Sequence, residues 1–231
     1  ARTWANCHKS LIPIIDKYFK TDDLKKCSRF WIILFKTILS KLYHWKIYVV
    51  GSVEYQYPNH LFQAGYFLDK KYYDENTIDF KHLLLSEKNQ SLLKDIQNSN
   101  SVGVHIRRGD YMTKQNLVIF GNICTQKYYH DAIRIITEKV NDAVFYVFSD
   151  DISWVQTHLD IPNAVYVNWN TGESSIYDMY LMSSCKYNII ANSTFSYWAA
   201  RLNKKTNMVI YPSKWYNTFT PDIFPESWCG I

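Results

Sequence analysis

Glycine is scarce in this sequence, with seven in 231 residues, and none of them builds a GxGxxG fingerprint or a GxxxxGK[ST] loop. Such loops let backbone N–H groups crowd a phosphate, so their lack disfavours a dinucleotide dehydrogenase and a P-loop kinase. Cysteine is equally thin. Cys7, Cys27, Cys124, Cys185 and Cys229 are odd in number and form no CxxC pair, which argues against a zinc knuckle or a disulfide framework and for reduced thiols. No Asp-x-Asp element is present, the pattern by which metal-dependent nucleotide-sugar enzymes hold a divalent ion on a diphosphate. No signal peptide opens the chain. The longest apolar stretch, Phe30 to Leu42, is broken by Lys36, Ser40 and Lys41 and is too short to span a bilayer. It reads as a core-packed helix, with peripheral contact to a membrane surface as the alternative. The excess of basic charge is also small. A net +5, from 26 basic and 21 acidic residues, is too mild for a dedicated nucleic-acid binder and suits an anionic small ligand.

What is present is a globular composition, 47% hydrophobic, with eight Trp and 19 Tyr as stacking surfaces. From Leu11 to Tyr48 apolar residues recur at helical spacing, and Val49 to Gly51 and Leu61 to Leu68 read as short strands. Helical spacing returns from Ile78 to Ile96, and the polar run Gln97 to Ser101 reads as a junction. The expected division is 1–100, largely helical, and 101–231. Beyond the junction strands and helices alternate. The strands fall at Val102 to Ile106, Val144 to Phe148, Ala164 to Val167, Tyr187 to Ala191 and Met208 to Tyr211. The helices between them fall near Gln126 to Val140, Ile152 to Leu159, Ser174 to Ser184 and Thr194 to Leu202. Uninterrupted apolar strands in a repeated βαβ pattern predict an α/β fold with a Rossmann-type parallel sheet, all strand ends on one side.

Three strand ends should therefore converge on one crevice. Arg107 and Arg108 follow the first strand, where planar guanidinium groups can hold a phosphate by paired, charge-assisted hydrogen bonds. Asn192 to Ser196 join a strand to a helix, where hydroxyls and free N–H groups offer an anion site or an ordinary cap. Asp150 and Asp151 follow another strand; capping of the next helix is the better reading for them than metal binding. Asp110, beside the arginines, is the nearest carboxylate and a candidate general base, unless it serves only to pair with Arg108 or to fix the turn.

The run His105 to Tyr111, HIRRGDY, reproduces an HxRRGDY motif, and with VFSDD at 147–151 and DMYLMSSCKYNIIANSTFSYWAARLN at 178–203 the chain resembles glycosyltransferase family 11, the α1,2-fucosyltransferases of bacterial type. GYFLDKKYY at 65–73, VNWNTGE at 167–173 and PSKW at 212–215 extend the likeness from about Gly65 to the end. The resemblance implies a GT-B-like architecture, with an acceptor-side domain that is only partial here and a C-terminal domain binding GDP-fucose. It predicts a GxGNQ-like segment ahead of the region corresponding to Ala1, which this chain does not show. It implies inverting, metal-independent transfer of L-fucose to the 2-hydroxyl of a galactose-terminated glycan, without a cofactor. Fucosyl transfer of another linkage, another GDP-sugar, and a catalytically silent binding remnant are the alternatives. By the same likeness Arg107 holds the β-phosphate, His105 lies near the nucleotide, Asp178 accepts from guanine, and Ser193, Thr194, Phe195 and Ser196 meet the donor. Arg108 binds it as well or braces the loop. The composition of an AT-rich bacterial gene suggests a cytoplasmic location, peripheral to the inner membrane, or the Golgi for a eukaryotic chain with an anchor upstream.

Overall fold

Runs of Val, Ile and Phe without polar interruption set the strands. In the computed structural model, which describes residues 17–20, 48–51, 62–65 and 78–231, they lie in two sheets. The chain divides into two compact units, 1–79 with 221–223, and 80–220 with 224–231. The first contains a parallel pair, β1 (Tyr48–Gly51) and β2 (Phe62–Gly65), with Tyr48 opposite Phe62 and Gly51 opposite Gly65. Short strands were expected there. The helices expected from Leu11 to Tyr48, the Phe30 to Leu42 stretch among them, and most of the 65–73 segment fall outside the described residues.

The second unit is a six-stranded, wholly parallel sheet in the order β5-β4-β3-β6-β7-β8. Its strands are β3 (Asn100–Ile106), β4 (Ala143–Ser149), β5 (Ala164–Val167), β6 (Tyr187–Ile189), β7 (Met208–Tyr211) and β8 (Cys229–Gly230). The central strand, β3, is buried from Ser101 onward and pairs with β4 along its whole length and with β6 through Val102, Gly103 and Val104. Alternation decides the layers. Val102, Val104 and Ile106 point to one face with Phe145 and Val147 and pack on α3 (Gln126–Lys139) through Tyr129, Ile133 and Ile136, with Val155 of α4 (Ile152–His158) alongside. Tyr146 and Phe148 point to the other, against Leu92 and Ile96 of α1 (Glu87–Asn98), Leu181 and Met182 of α5 (Ser175–Ser183), and Ala199 and Ala200 of α6 (Thr194–Arg201). Gly103 lies under this second layer, where a Cβ would stand 2.8 Å from Asn188 Nδ2 and 3.0 Å from Met182 Cγ.

This is the α/β, Rossmann-type parallel sheet the alternation predicts. Three expectations need correction. The helix read over Ile78 to Ile96 begins only at Glu87, because the Ser86 hydroxyl accepts from Asn89 N and starts the helix there, leaving Leu84 on the surface. The division falls at 79/80 and not at 100/101, since Leu92 and Ile96 of α1 belong to the sheet's own core. The RRGDY run itself winds into a 3₁₀ turn, Gly109–Met112, and is followed by α2 (Lys114–Phe120), neither of which had been read. Among the described residues no helix is long and apolar enough to cross a membrane.

Chain order and strand order locate the site. From β3 the chain winds outward through β4 and β5, then returns to the far side of β3 and winds the other way through β6, β7 and β8. The switch lies between β3 and β6, and at such a switch the loops leaving the carboxyl ends diverge and open a crevice.

Candidate active site

Arg107 and Arg108 follow β3 at that switch, and Ser193 and Thr194 follow β6. The two loops are tied together: the Tyr111 hydroxyl donates to the Asn192 carbonyl at 2.9 Å, and the His105 and Phe195 rings lie 5.0 Å apart. Asn192 anchors the second loop. It is buried, its Nδ2 donates to the carbonyls of Phe120 and Trp215 at 3.2 and 3.1 Å, and its Oδ1 accepts from the Cys124 thiol. Burial pushes that thiol up to about 12, so it stays protonated.

Both guanidinium groups are held by carboxylates. Arg107 Nη1 meets Asp150 Oδ2 at 2.8 Å and its Nη2 meets Asp110 Oδ1 at 2.6 Å. Arg108 Nε meets Asp151 Oδ2 at 3.1 Å, and its guanidinium lies 3.8 Å over the Trp154 ring. Arg107 is the more open of the two, 35% against 20% exposed. Asp110 pairs with Arg107 and not, as one sequence reading had it, with Arg108. Asp150 also accepts the Arg108 backbone N–H at 2.9 Å. That approach explains Gly109: a Cβ there would stand 2.5 Å from Asp150 Oδ2. Asp151 caps α4 as expected, accepting from Trp154 N, while its other oxygen holds Arg108.

His105 is buried at 5% exposure, and its Nδ1 is, among the described residues, the only buried side-chain N or O without a hydrogen-bond partner. Burial first, and the Arg107 charge second, hold its pKa down to about 3, so the ring is neutral. The other loop divides its labour. Ser193 begins α6 without a side-chain cap bond, and Thr194 is exposed in the first turn. Ser196 is wholly buried, and its hydroxyl closes the loop by accepting from Ala191 N at 3.2 Å; of the four residues expected to meet a donor, it is turned inward. Asp178, in the first turn of α5, is 9% exposed. Burial lifts its carboxyl to about 7 against one opposing hydrogen bond from Asn170, at 2.6 Å. Among the described residues no group of three or more His, Cys, Asp or Glu side chains is placed to hold a metal ion.

The sequence pattern of glycosyl transferase family 11 matches residues 3–231. The chain belongs to that family. Within family 11 terms, it is 35% identical over 196 residues to an Escherichia coli alpha-1,2-colitosyltransferase, covering 78% of this chain and 63% of that one. It is 44% identical over 122 residues to the E. coli O-antigen biosynthesis glycosyltransferase WbnK, 52% of this chain and 40% of that one. To galactoside alpha-(1,2)-fucosyltransferase 2 of Pongo pygmaeus it is 28% identical over 163 residues, 65% and 48%. The chain thus spans 40 to 63% of the length of these relatives. Asp150, Asp151 and Trp154 were missed as partners of the arginines, though the VFSDD segment pointed at the first two. Asn170, the partner of Asp178, was visible only as part of VNWNTGE.

Proposed function

We propose that this family 11 chain carries the donor-binding part of an inverting glycosyltransferase that moves L-fucose from GDP-fucose to the 2-hydroxyl of a terminal galactoside in surface-polysaccharide or glycan synthesis. The observation that carries the reading is Arg107 at the sheet's switch point, the more exposed of two adjacent arginines, clamped by two carboxylates that a diphosphate can replace. The acceptor oxygen attacks C1 of fucose on the face opposite the diphosphate, the C1–O bond to the β-phosphate breaks, and GDP departs with the electron pair. Arg107 then faces growing charge on the phosphate oxygen, so its contact strengthens from ground to transition state. Asp110 is the candidate base for the acceptor proton: when the phosphate takes Arg107, the carboxylate at 2.6 Å is released from it. Asp178 reads the guanine edge, and neutral His105 lines the nucleotide pocket. The donor is a substrate; no metal or resident cofactor enters the scheme. We place the protein in the bacterial cytoplasm, peripheral to the inner membrane.

The colitosyltransferase likeness supports a second reading, in which the same site takes a colitosyl donor. Calorimetric titration with GDP-fucose, GDP-colitose and GDP-mannose, followed by product analysis with lactose, tests both. Tightest binding of GDP-fucose with a 2-linked product supports the first; preference for GDP-colitose selects the second. Nucleotide-sugar binding without product identifies a binding remnant, and no binding of any of the three refutes the proposal.

A further inference from the structure

Asn89 lies far in sequence from the segments that carry the arginines and Asp178, yet it is 1% exposed and its carboxamide is bonded at both ends. Its Oδ1 accepts from the Trp169 indole N–H at 2.7 Å and from Asn170 Nδ2 at 3.1 Å, and its own Nδ2 donates to Asn170 Oδ1 at 3.0 Å. The two carboxamides form a reciprocal pair, and Asn170 Nδ2 spends its remaining proton on Asp178 Oδ1 at 2.6 Å. An amide can be turned end for end, but an indole N–H only donates. Trp169 therefore fixes oxygen towards itself on Asn89, which fixes oxygen towards Asn89 on Asn170, which leaves a donor, never an acceptor, towards Asp178. Reversing Asn170 would set oxygen against the Asp178 carboxylate, and reversing Asn89 would leave the indole N–H facing a donor.

We propose that Asn89 and Asn170, set by Trp169, are positioning residues that present Asp178 as an ionised, two-acceptor carboxylate to a purine edge bearing two adjacent N–H donors, and so specify guanine. The proposal rests on the GDP-sugar reading above. A protonated carboxylic acid offers one acceptor and one donor and cannot serve both N1–H and the 2-amino group. Burial works against the charged form and holds the carboxyl up at about 7; a donor held against one oxygen works for it, and Asn170 is that donor. Hypoxanthine, with N1–H alone, is satisfied by either form; adenine, with an acceptor at N1 beside its 6-amino donor, is mismatched to the carboxylate and suits only the protonated acid.

The test is calorimetric titration of the 231-residue chain with GDP, IDP and ADP. For the unsubstituted chain we expect GDP to bind roughly tenfold tighter than IDP, the worth of one further hydrogen bond to a charged group, and tighter still than ADP. In Asn170→Ala and Asn89→Ala the GDP to IDP ratio should fall to within about twofold of one, through loss of GDP affinity with IDP affinity kept. A merely structural role would weaken all three nucleotides together and leave the ratio. Trp169→Phe keeps an aromatic ring against the core and removes the N–H with the rest of the five-membered ring, a smaller disturbance than alanine, so it carries the test should an alanine variant fail to fold. Its ratio should lie between the two. An unsubstituted chain with no preference for GDP overturns the donor reading and this proposal with it. A GDP preference that survives in the folded variants, Trp169→Phe included, overturns the positioning role alone.

Discussion

Two buried groups at this site titrate in opposite senses, and their near cancellation is open to measurement. His105 is held neutral, with a folded pKa of about 3 against 6.5 when solvated. The unfolded chain binds the extra proton, so stability is lost as pH falls below 6.5 and continues to fall until about pH 3. Between pH 7 and 5 the linkage relation gives a loss of about 2 kcal/mol. Asp178 runs the other way: with a folded pKa of about 7 against 3.8, the native state binds the proton first, and stability is gained as pH falls through 7 until the unfolded carboxyl also protonates. Over the same interval that gain is again about 2 kcal/mol. The pair should leave the unsubstituted chain with little pH slope from these two groups between 5 and 7, and with a net loss below pH 4. Asp178→Asn removes the gain, and His105→Gln removes the loss. Urea unfolding at pH 5, 6 and 7 should therefore show the stability of Asp178→Asn falling by about 2 kcal/mol relative to the parent, and that of His105→Gln rising by about 2 kcal/mol. Parallel pH profiles for the three proteins would refute the burial argument for both residues.

Arg107→Ala should lower kcat on the order of a hundredfold, as removal of one preorganised donor does, with Arg107→Lys recovering only part because one ammonium cannot replace the fork; an intact kcat with a raised donor KM would reduce Arg107 to uniform binding. Asp110→Asn should abolish most turnover while GDP-fucose binding in a calorimeter is kept, and a variant that still turns over removes Asp110 as the base. Gly109→Ala should cost about 1–3 kcal/mol by overpacking, and less once Asp150→Ala has cleared the obstruction; equal costs in both backgrounds, read from chemical denaturation, would show that the Asp150 approach does not set the glycine.

The sheet was legible because each strand is an apolar run too short for a helix and bounded by polar turns; Ala164 to Val167 and Met208 to Tyr211 were read to the residue. β8 was not legible, since Cys229 and Gly230 form a strand only because β7 offers an edge. The helix at Lys114–Phe120 was hidden by its pattern: it buries none of its residues and leaves Val118 and Ile119 on the surface, so no apolar stripe marks it. As candidates, the arginines, His105 and Asp178 were legible from motif. Their partners were not. That Asp150 takes Arg107 while Asp151 takes Arg108 is settled by the turn of the chain after β4, and the Asn89 to Asn170 pair joins residues 81 apart in sequence, a distance over which spacing carries no signal.

The burial of Asn192 and Asn89 reaches beyond the active site. Each begins an Asn-x-Ser/Thr triplet, Asn192-Ser193-Thr194 and Asn89-Gln90-Ser91, the acceptor for N-linked glycans, which needs a reachable carboxamide on a surface loop. In the folded chain both carboxamides are enclosed and bonded, so an oligosaccharyltransferase finds them only before the sheet closes. Produced through a secretory host, this protein would carry its own record of folding: sugar at either position marks a chain that was modified before it reached this structure, and a bare chain marks one that folded first.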